Sequence, residues 1–99
     1  MKVGALKMRI YLPQNQSLKG KRGLLKSIST RARNKFNISV AEIDDQELWQ
    51  LATLGVACVG NDGRYIGEVL TRVAGFIENE SLRAGAEVVG HEVEVLPAL

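Results

Sequence analysis

The sequence predicts an α+β fold, a two-layer sandwich of order βαββαβ, on three observations. Four short segments alternate apolar and polar residues, two longer ones repeat apolar residues at helical spacing, and Pro, Gly, Asn and Asp mark the joins. A chain of 99 residues with a 45% hydrophobic share has material for one core, so residues 1–99 are read as a single domain.

The first strand is Gly4 to Leu12, with Leu6, Met8, Ile10 and Leu12 on one side, Ala5, Lys7, Arg9 and Tyr11 on the other, and Pro13 ending it. A polar loop, Gln14-Asn15-Gln16, leads to Ser17, which suits an N-cap. Leu18, Leu25, Ile28, Ala32 and Phe36 then recur at helical spacing and define the first helix. Asn37 to Asp44 and Gln50 to Gly60 read as the second and third strands, joined across Asp45-Gln46-Glu47-Leu48-Trp49. Gly60-Asn61-Asp62-Gly63 makes a turn, and Asp62 caps a second helix whose stripe of Ile66, Val69, Leu70, Val73 and Ile77 runs to about Asn79. Ser81 to Gly85 reads as a loop. The last strand, Ala86 to Leu96, sets Val89, His91, Val93 and Val95 on one side against Val88, Glu92 and Glu94 on the other. Right-handed crossovers then give a ferredoxin-like antiparallel sheet of order 4-1-3-2, with both helices on one face and the other face open. In that layout Cys58 and the second-helix stripe are buried, while Lys7 and Arg9 lie on the open face.

Several function classes are disfavoured by what the sequence lacks. No run approaches the ~18 apolar residues of a membrane span, and Met1-Lys2-Val3-Gly4 leads into alternating residues rather than an apolar signal block, so a cytoplasmic protein without membrane contact is expected. A single cysteine allows neither an internal disulfide nor a CxxC pair, and a four-ligand zinc set cannot be assembled without it. P-loop, dinucleotide, nucleophile-elbow and HExxH motifs are absent, and Gly20-Lys21 has no glycine-rich loop before it. A core this small has little volume to spare for a deep catalytic cavity. The expectation is a non-enzymatic domain with no metal, no organic cofactor and no evident small-molecule substrate.

The charges are separated along the chain. Residues 1–41 hold ten Lys/Arg and no acid, whereas residues 42–99 hold eleven acids against Arg64, Arg72 and Arg83, so the two parts carry +10 and −8. This layout has two readings: a positive face for a polyanion such as RNA, or two halves that neutralise each other within one molecule or between copies. On the first helix Lys19, Arg22, Lys26 and Arg33 fall within roughly 60° of one another at 100° per residue, beside the apolar stripe. Lys21, Arg31 and Lys35 flank its other side, and no acid lies within the helix to pair with any of them. Lys19, Lys21, Arg22, Lys26 and Arg33 are therefore the candidate phosphate contacts. Gly20 and Gly23, each costing ~1 kcal/mol relative to Ala inside a helix, fit either a frayed first turn or a close backbone approach.

The run Val40-Ala41-Glu42-Ile43-Asp44-Asp45-Gln46-Glu47-Leu48-Trp49-Gln50-Leu51-Ala52-Thr53-Leu54-Gly55-Val56-Ala57, with Ser17-Leu18-Lys19-Gly20-Lys21-Arg22 before it, resembles the YlxP-like family of small uncharacterised bacterial proteins. The resemblance implies a ferredoxin-like fold and, from the family's usual gene neighbourhood beside translation-initiation and ribosome-maturation factors, a role near the ribosome. It implies no catalytic residues.

Other candidate residues divide between the sheet and its loops. The open face would show Lys7, Arg9 and Tyr11 beside Thr53, Gly55 and Ala57, without the two or three aromatics on central strands that an RNA-recognition motif stacks on bases. Glu92 and Glu94 would pair across with Lys7 and Arg9, and the small residues between them suit contact with another sheet or another copy. Trp49 and Tyr11 are the candidates for stacking or for anchoring a partner, Trp49 alternatively covering the end of the core. The acids beside Trp49 match no calcium-loop spacing. Cys58 and His91 sit on strands separated by the first strand, nearly 10 Å apart at ~4.8 Å per strand, too far to act as a nucleophile and base. Two functions follow: a module contacting structured RNA or the ribosome through the first helix, or a structural or adaptor domain forming a homodimer through its open sheet face.

Overall fold

A computed structural model describes residues 1–99. Strand β1 (Lys2–Tyr11) lies at the centre of the sheet because both of its neighbours pair with it along its full length. The elements that follow are α1 (Leu18–Lys35), β2 (Ser39–Ile43), β3 (Leu51–Gly60), α2 (Gly63–Arg83) and β4 (Glu87–Pro97). All pairings are antiparallel and the strand order is β2-β3-β1-β4, the predicted 4-1-3-2 counted from the other edge.

The core lies between the sheet and the helices. Leu6, Met8, Ile10 and Leu12 from the first strand and its end, and Ala52, Leu54 and Val56 from β3, meet Leu25, Ile28 and Ala32 of α1 and Ile66, Leu70, Val73 and Ile77 of α2. Each leucine, isoleucine, valine or methionine among them contributes about 1.5–3 kcal/mol on full burial, so the register of β1 is strongly specified: a slip by one residue would move this whole row into water. Gly4 continues the row toward α2. A Cβ at that position would collide with Ile66 Cγ2 and lie 2.8 Å from Leu70 Cδ1, so the helix packs against bare backbone.

Four details depart from the sequence expectation. β2 is shorter than residues 37–44: at its end Asp44 and Asp45 adopt left-handed backbone (φ 42° and 54°) and turn the chain out of the sheet, and before its start the Ile38 N–H bonds locally to the Phe36 carbonyl at 3.1 Å. Helix α2 runs to Arg83 rather than Asn79, because Ser81 occupies the next position on the buried stripe and satisfies its hydroxyl on the Ile77 carbonyl at 2.7 Å. In β4 the pairing shifts between Arg9 and Ile10, where Gly90 faces Arg9 and Val88 faces Ile10. This bulge skips Val89, so Val88 packs on the core and Val89 is exposed, reversing their expected sides. Cys58 and Val69 are half-buried, not buried, although both pack against the core.

The fifth departure bears on function. Lys21, expected among the phosphate contacts, has no exposed surface. It stands between Leu18 and Leu25 on the apolar stripe, at the position that helical spacing assigns to the interior, and it cannot reach an external phosphate.

Candidate functional site

Helix α1 starts cleanly at Ser17, whose Oγ accepts from the Gly20 N–H at 3.0 Å. The first turn is therefore ordered, which removes fraying as the reason for its glycines. Gly20 is needed because a Cβ there would run into the Asn15 side chain. Gly23 has no such reason, since a Cβ would meet nothing within 4 Å.

The ammonium of Lys21 ties this helix to the β2–β3 connection. Its Nζ donates to the carbonyls of Asp45 (2.8 Å), Leu51 (3.2 Å) and Gln46 (3.3 Å), and Glu42 Oε2 lies 2.9 Å away as an ion partner. The three N–H donors are thus directed at backbone and the carboxylate balances the charge, a combination that makes burial of a lysine affordable. The same connection is held further by Thr53, whose hydroxyl donates to Asp45 Oδ2 at 3.2 Å, and by a Leu48 N–H bond to the Asp45 carbonyl at 3.0 Å.

Internal pairing neutralises part of the basic half. There are four ion pairs, Lys7–Asp44, Arg9–Glu92, Lys21–Glu42 and Arg31–Glu80, and each joins a cation from residues 1–41 to an acid from residues 42–99. Lys7 therefore pairs with Asp44 at 3.5 Å rather than with β4, while Arg9 meets Glu92 at 3.7 Å as expected. Among the remaining cations, Arg33 donates to the Val40 carbonyl at 3.4 Å and Lys35 lies 5.2 Å from the Phe76 ring centre. Lys19, Arg22 and Lys26 are exposed with no partner, all on one face of α1. No acid stands in the first turn of this helix, so Lys19 adds to its positive N-terminal end with nothing to offset it, and Arg22 follows one residue beyond that turn.

The two aromatic candidates line the same cleft. Tyr11 at the end of β1 and Trp49 in the β2–β3 connection line one open cleft of about 720 Å³ with Asn15, Gln16, Leu48, Gln50 and Leu51. Trp49 is 55% exposed, so it does not cover the end of the core.

A second concavity, about 520 Å³, crosses the open sheet face over Ala5, Ala41, Gly55 and Ala57. Beside it Val59, Val3 and Leu96 stand opposite one another on three adjacent strands, and Val59 and Leu96 are exposed.

Cys58 and His91 are not brought together, being opposite Gly4 and Met8 on different sides of β1. Burial pushes the Cys58 thiol up, only partly opposed by a hydrogen bond from the Gly4 backbone, which is the reverse of what a nucleophile needs. His, Cys, Asp and Glu nowhere gather in a group of three able to hold a metal ion. No helix is long and apolar enough to cross a membrane. Sequence reasoning missed the Lys21 anchor, although the seven-residue gap between Leu18 and Leu25 in the stripe was a signal for it.

The strand order and the two helices on one face define a ferredoxin-like domain. Among solved structures, a de novo designed ferredoxin-fold protein, LFR1 1, is similar to this chain with a TM-score of 0.55 and 11% identity, covering 100% of this chain and 88% of its own. A C-terminal segment of the alpha subunit of aIF2 from Pyrococcus abyssi has a TM-score of 0.52 and 17% identity, and this chain spans 51% of its length while being covered in full. These likenesses are of fold alone. In sequence, the uncharacterized protein YlxP of Bacillus subtilis (strain 168) is 44% identical over 63 residues, covering 64% of this chain and 68% of that one. Residues 3–92 match the family described as protein of unknown function, DUF503, and the chain belongs to that family.

Proposed function

We propose that this domain is a non-enzymatic, cytoplasmic binding module that meets the phosphate backbone of structured RNA, in the setting of the ribosome, through Lys19, Arg22 and Lys26 of α1. The observation that carries this reading is the residue left over after internal pairing. Lys7, Arg9, Lys21 and Arg31 are taken up by acids of the same chain, and of the basic residues of the first half left without a partner, three, Lys19, Arg22 and Lys26, are exposed on one face of α1. A cation in the first turn of a helix, as Lys19 is, costs about 0.3–1 kcal/mol against the macrodipole, and the same positive helix end favours an anionic partner. Gly23, exposed between Arg22 and Lys26 with no packing demand on it, allows a phosphate to approach the helix backbone.

The test is a salt titration of RNA binding by the wild type and by Lys19→Ala/Arg22→Ala/Lys26→Ala. Loss of three phosphate contacts should lower the log–log salt slope by roughly 2–3 units, at ~0.7–0.9 per phosphate. Equal affinity and equal slope would end this reading.

A second reading rests on the open sheet face, where the row Val59, Val3 and Leu96 borders a floor of Ala5, Gly55 and Ala57. Such a face suits a homodimer. Sedimentation at low and high salt separates the two, because an apolar dimer persists as ionic strength rises and phosphate binding weakens.

A further inference from the structure

We infer that the Tyr11–Trp49 cleft is a stacking site for an unpaired nucleotide, so that the RNA recognised has a single-stranded segment running from this cleft onto the first turns of α1. This deepens the proposed function and rests on it.

Three observations converge on the cleft. Its two aromatic rings are available, Trp49 at 55% and Tyr11 at 39% exposure, beside Leu48 at 48%. An isolated surface tryptophan could be incidental, but here it shares one cavity with a tyrosine and the rim side chains Asn15, Gln16 and Gln50. Apolar walls rimmed by amide oxygens and by the Gln16 amide, which makes no bond within the chain, suit a nucleobase, whose flat faces stack and whose edge forms hydrogen bonds.

The platform is also held in place. Asn15 Nδ2 donates to both the Trp49 and the Ser17 carbonyls, and Gln50 Nε2 donates to the Pro13 and Asn15 carbonyls at 3.2 and 3.3 Å. From behind, buried Lys21 holds the Asp45, Gln46 and Leu51 carbonyls. These bonds tie the loop before α1 to the loop that carries Trp49, so little conformational entropy remains to be lost when a base docks.

Exposed Glu47 stands on the Trp49 side of the cleft, so a phosphate would be drawn to the α1 side, where the free cations are. Gln16 lines the cleft and Lys19 follows it by three residues, at most ~11 Å away in three Cα steps of 3.8 Å. Lys19 and Arg22 have no acid partner, so a strand whose base occupies the cleft has unpaired cations within reach of its next phosphates. A duplex keeps its bases stacked inside and offers the cleft nothing.

The experiment uses the full chain and exploits Trp49 as the only tryptophan. Three probes are titrated at low salt: a mixed-sequence RNA hexamer, an RNA duplex, and an abasic sugar-phosphate hexamer that keeps the charge without the bases. The expected result is quenching of Trp49 emission by the single strand and not by the abasic strand. Trp49→Leu should weaken single-strand binding by about 5- to 150-fold, the equivalent of ~1–3 kcal/mol for one stacked base, and leave the salt slope unchanged. Trp49→Phe, which keeps a ring, should restore most of the affinity. Salt-dependent RNA binding with no quenching and no effect of Trp49→Leu would overturn the stacking site while leaving backbone binding by α1 intact. Absence of binding to every probe would overturn both.

Discussion

Lys21→Met keeps most of the side chain's length and removes its charge, and the consequences can be worked out atom by atom. The Asp45, Gln46 and Leu51 carbonyls lose their shared donor, and the Glu42 carboxylate loses the cation 2.9 Å away. Breaking a buried ion pair by removing one partner costs about 3–5 kcal/mol. The Glu42 side chain as a whole keeps 19% exposure, but the Oε2 that faces Lys21 is buried and has no other partner, so the expected loss is at least about 3 kcal/mol. With a urea m-value of about 1–3 kcal/mol/M, the unfolding midpoint should fall by roughly 1–3 M. The double variant Lys21→Met/Glu42→Leu should recover part of the loss, because an apolar pair of similar volume replaces the charges. Recovery will be incomplete, since the three carbonyls stay without a donor. Urea unfolding followed by circular dichroism measures the stability, and amide exchange over Gln46–Trp49 measures the loop. A single variant within about 1 kcal/mol of wild type, with unchanged exchange, would refute the role of Lys21 as the anchor of this loop.

Two further predictions concern positions with less at stake. Gly23→Ala should raise stability by about 0.5–1 kcal/mol, since the added methyl meets nothing and Ala is the better helix former; at roughly 4–8 °C per kcal/mol, calorimetry should show a rise of about 2–8 °C, and a lower Tm would mean the site is not open. Cys58 should alkylate more slowly in the native protein than in denaturant at pH 8, because burial raises its pKa and so lowers the thiolate fraction at that pH; equal rates would contradict the desolvation.

The strands, the helices and their order were legible in the sequence because each element has one buried side, and burial imposes a period of two or 3.6 on the apolar residues. β1 and the α2 stripe are the clearest cases. The basic ridge of α1 was legible for the same reason, as the residues beside the stripe are the ones left for solvent. Periodicity failed where a polar residue took an interior position with its bonds satisfied locally, as Ser81 does on Ile77, or where a bulge changed the phase, as at Val89.

What only the tertiary structure decided is which charges are free and which aromatics share a cleft. Lys19, Lys21 and Arg22 are alike in sequence, yet Lys21 finds three carbonyls and a carboxylate contributed from residues 42–51, while the other two find none. Tyr11 and Trp49 come from separate segments and share a cleft only because β1 pairs with β3 from Tyr11 opposite Leu51 onward. Composition and spacing register charge and period, which are local properties. The partner of a cation and the neighbour of a ring depend on long-range strand pairing, and that is settled only when the sheet forms.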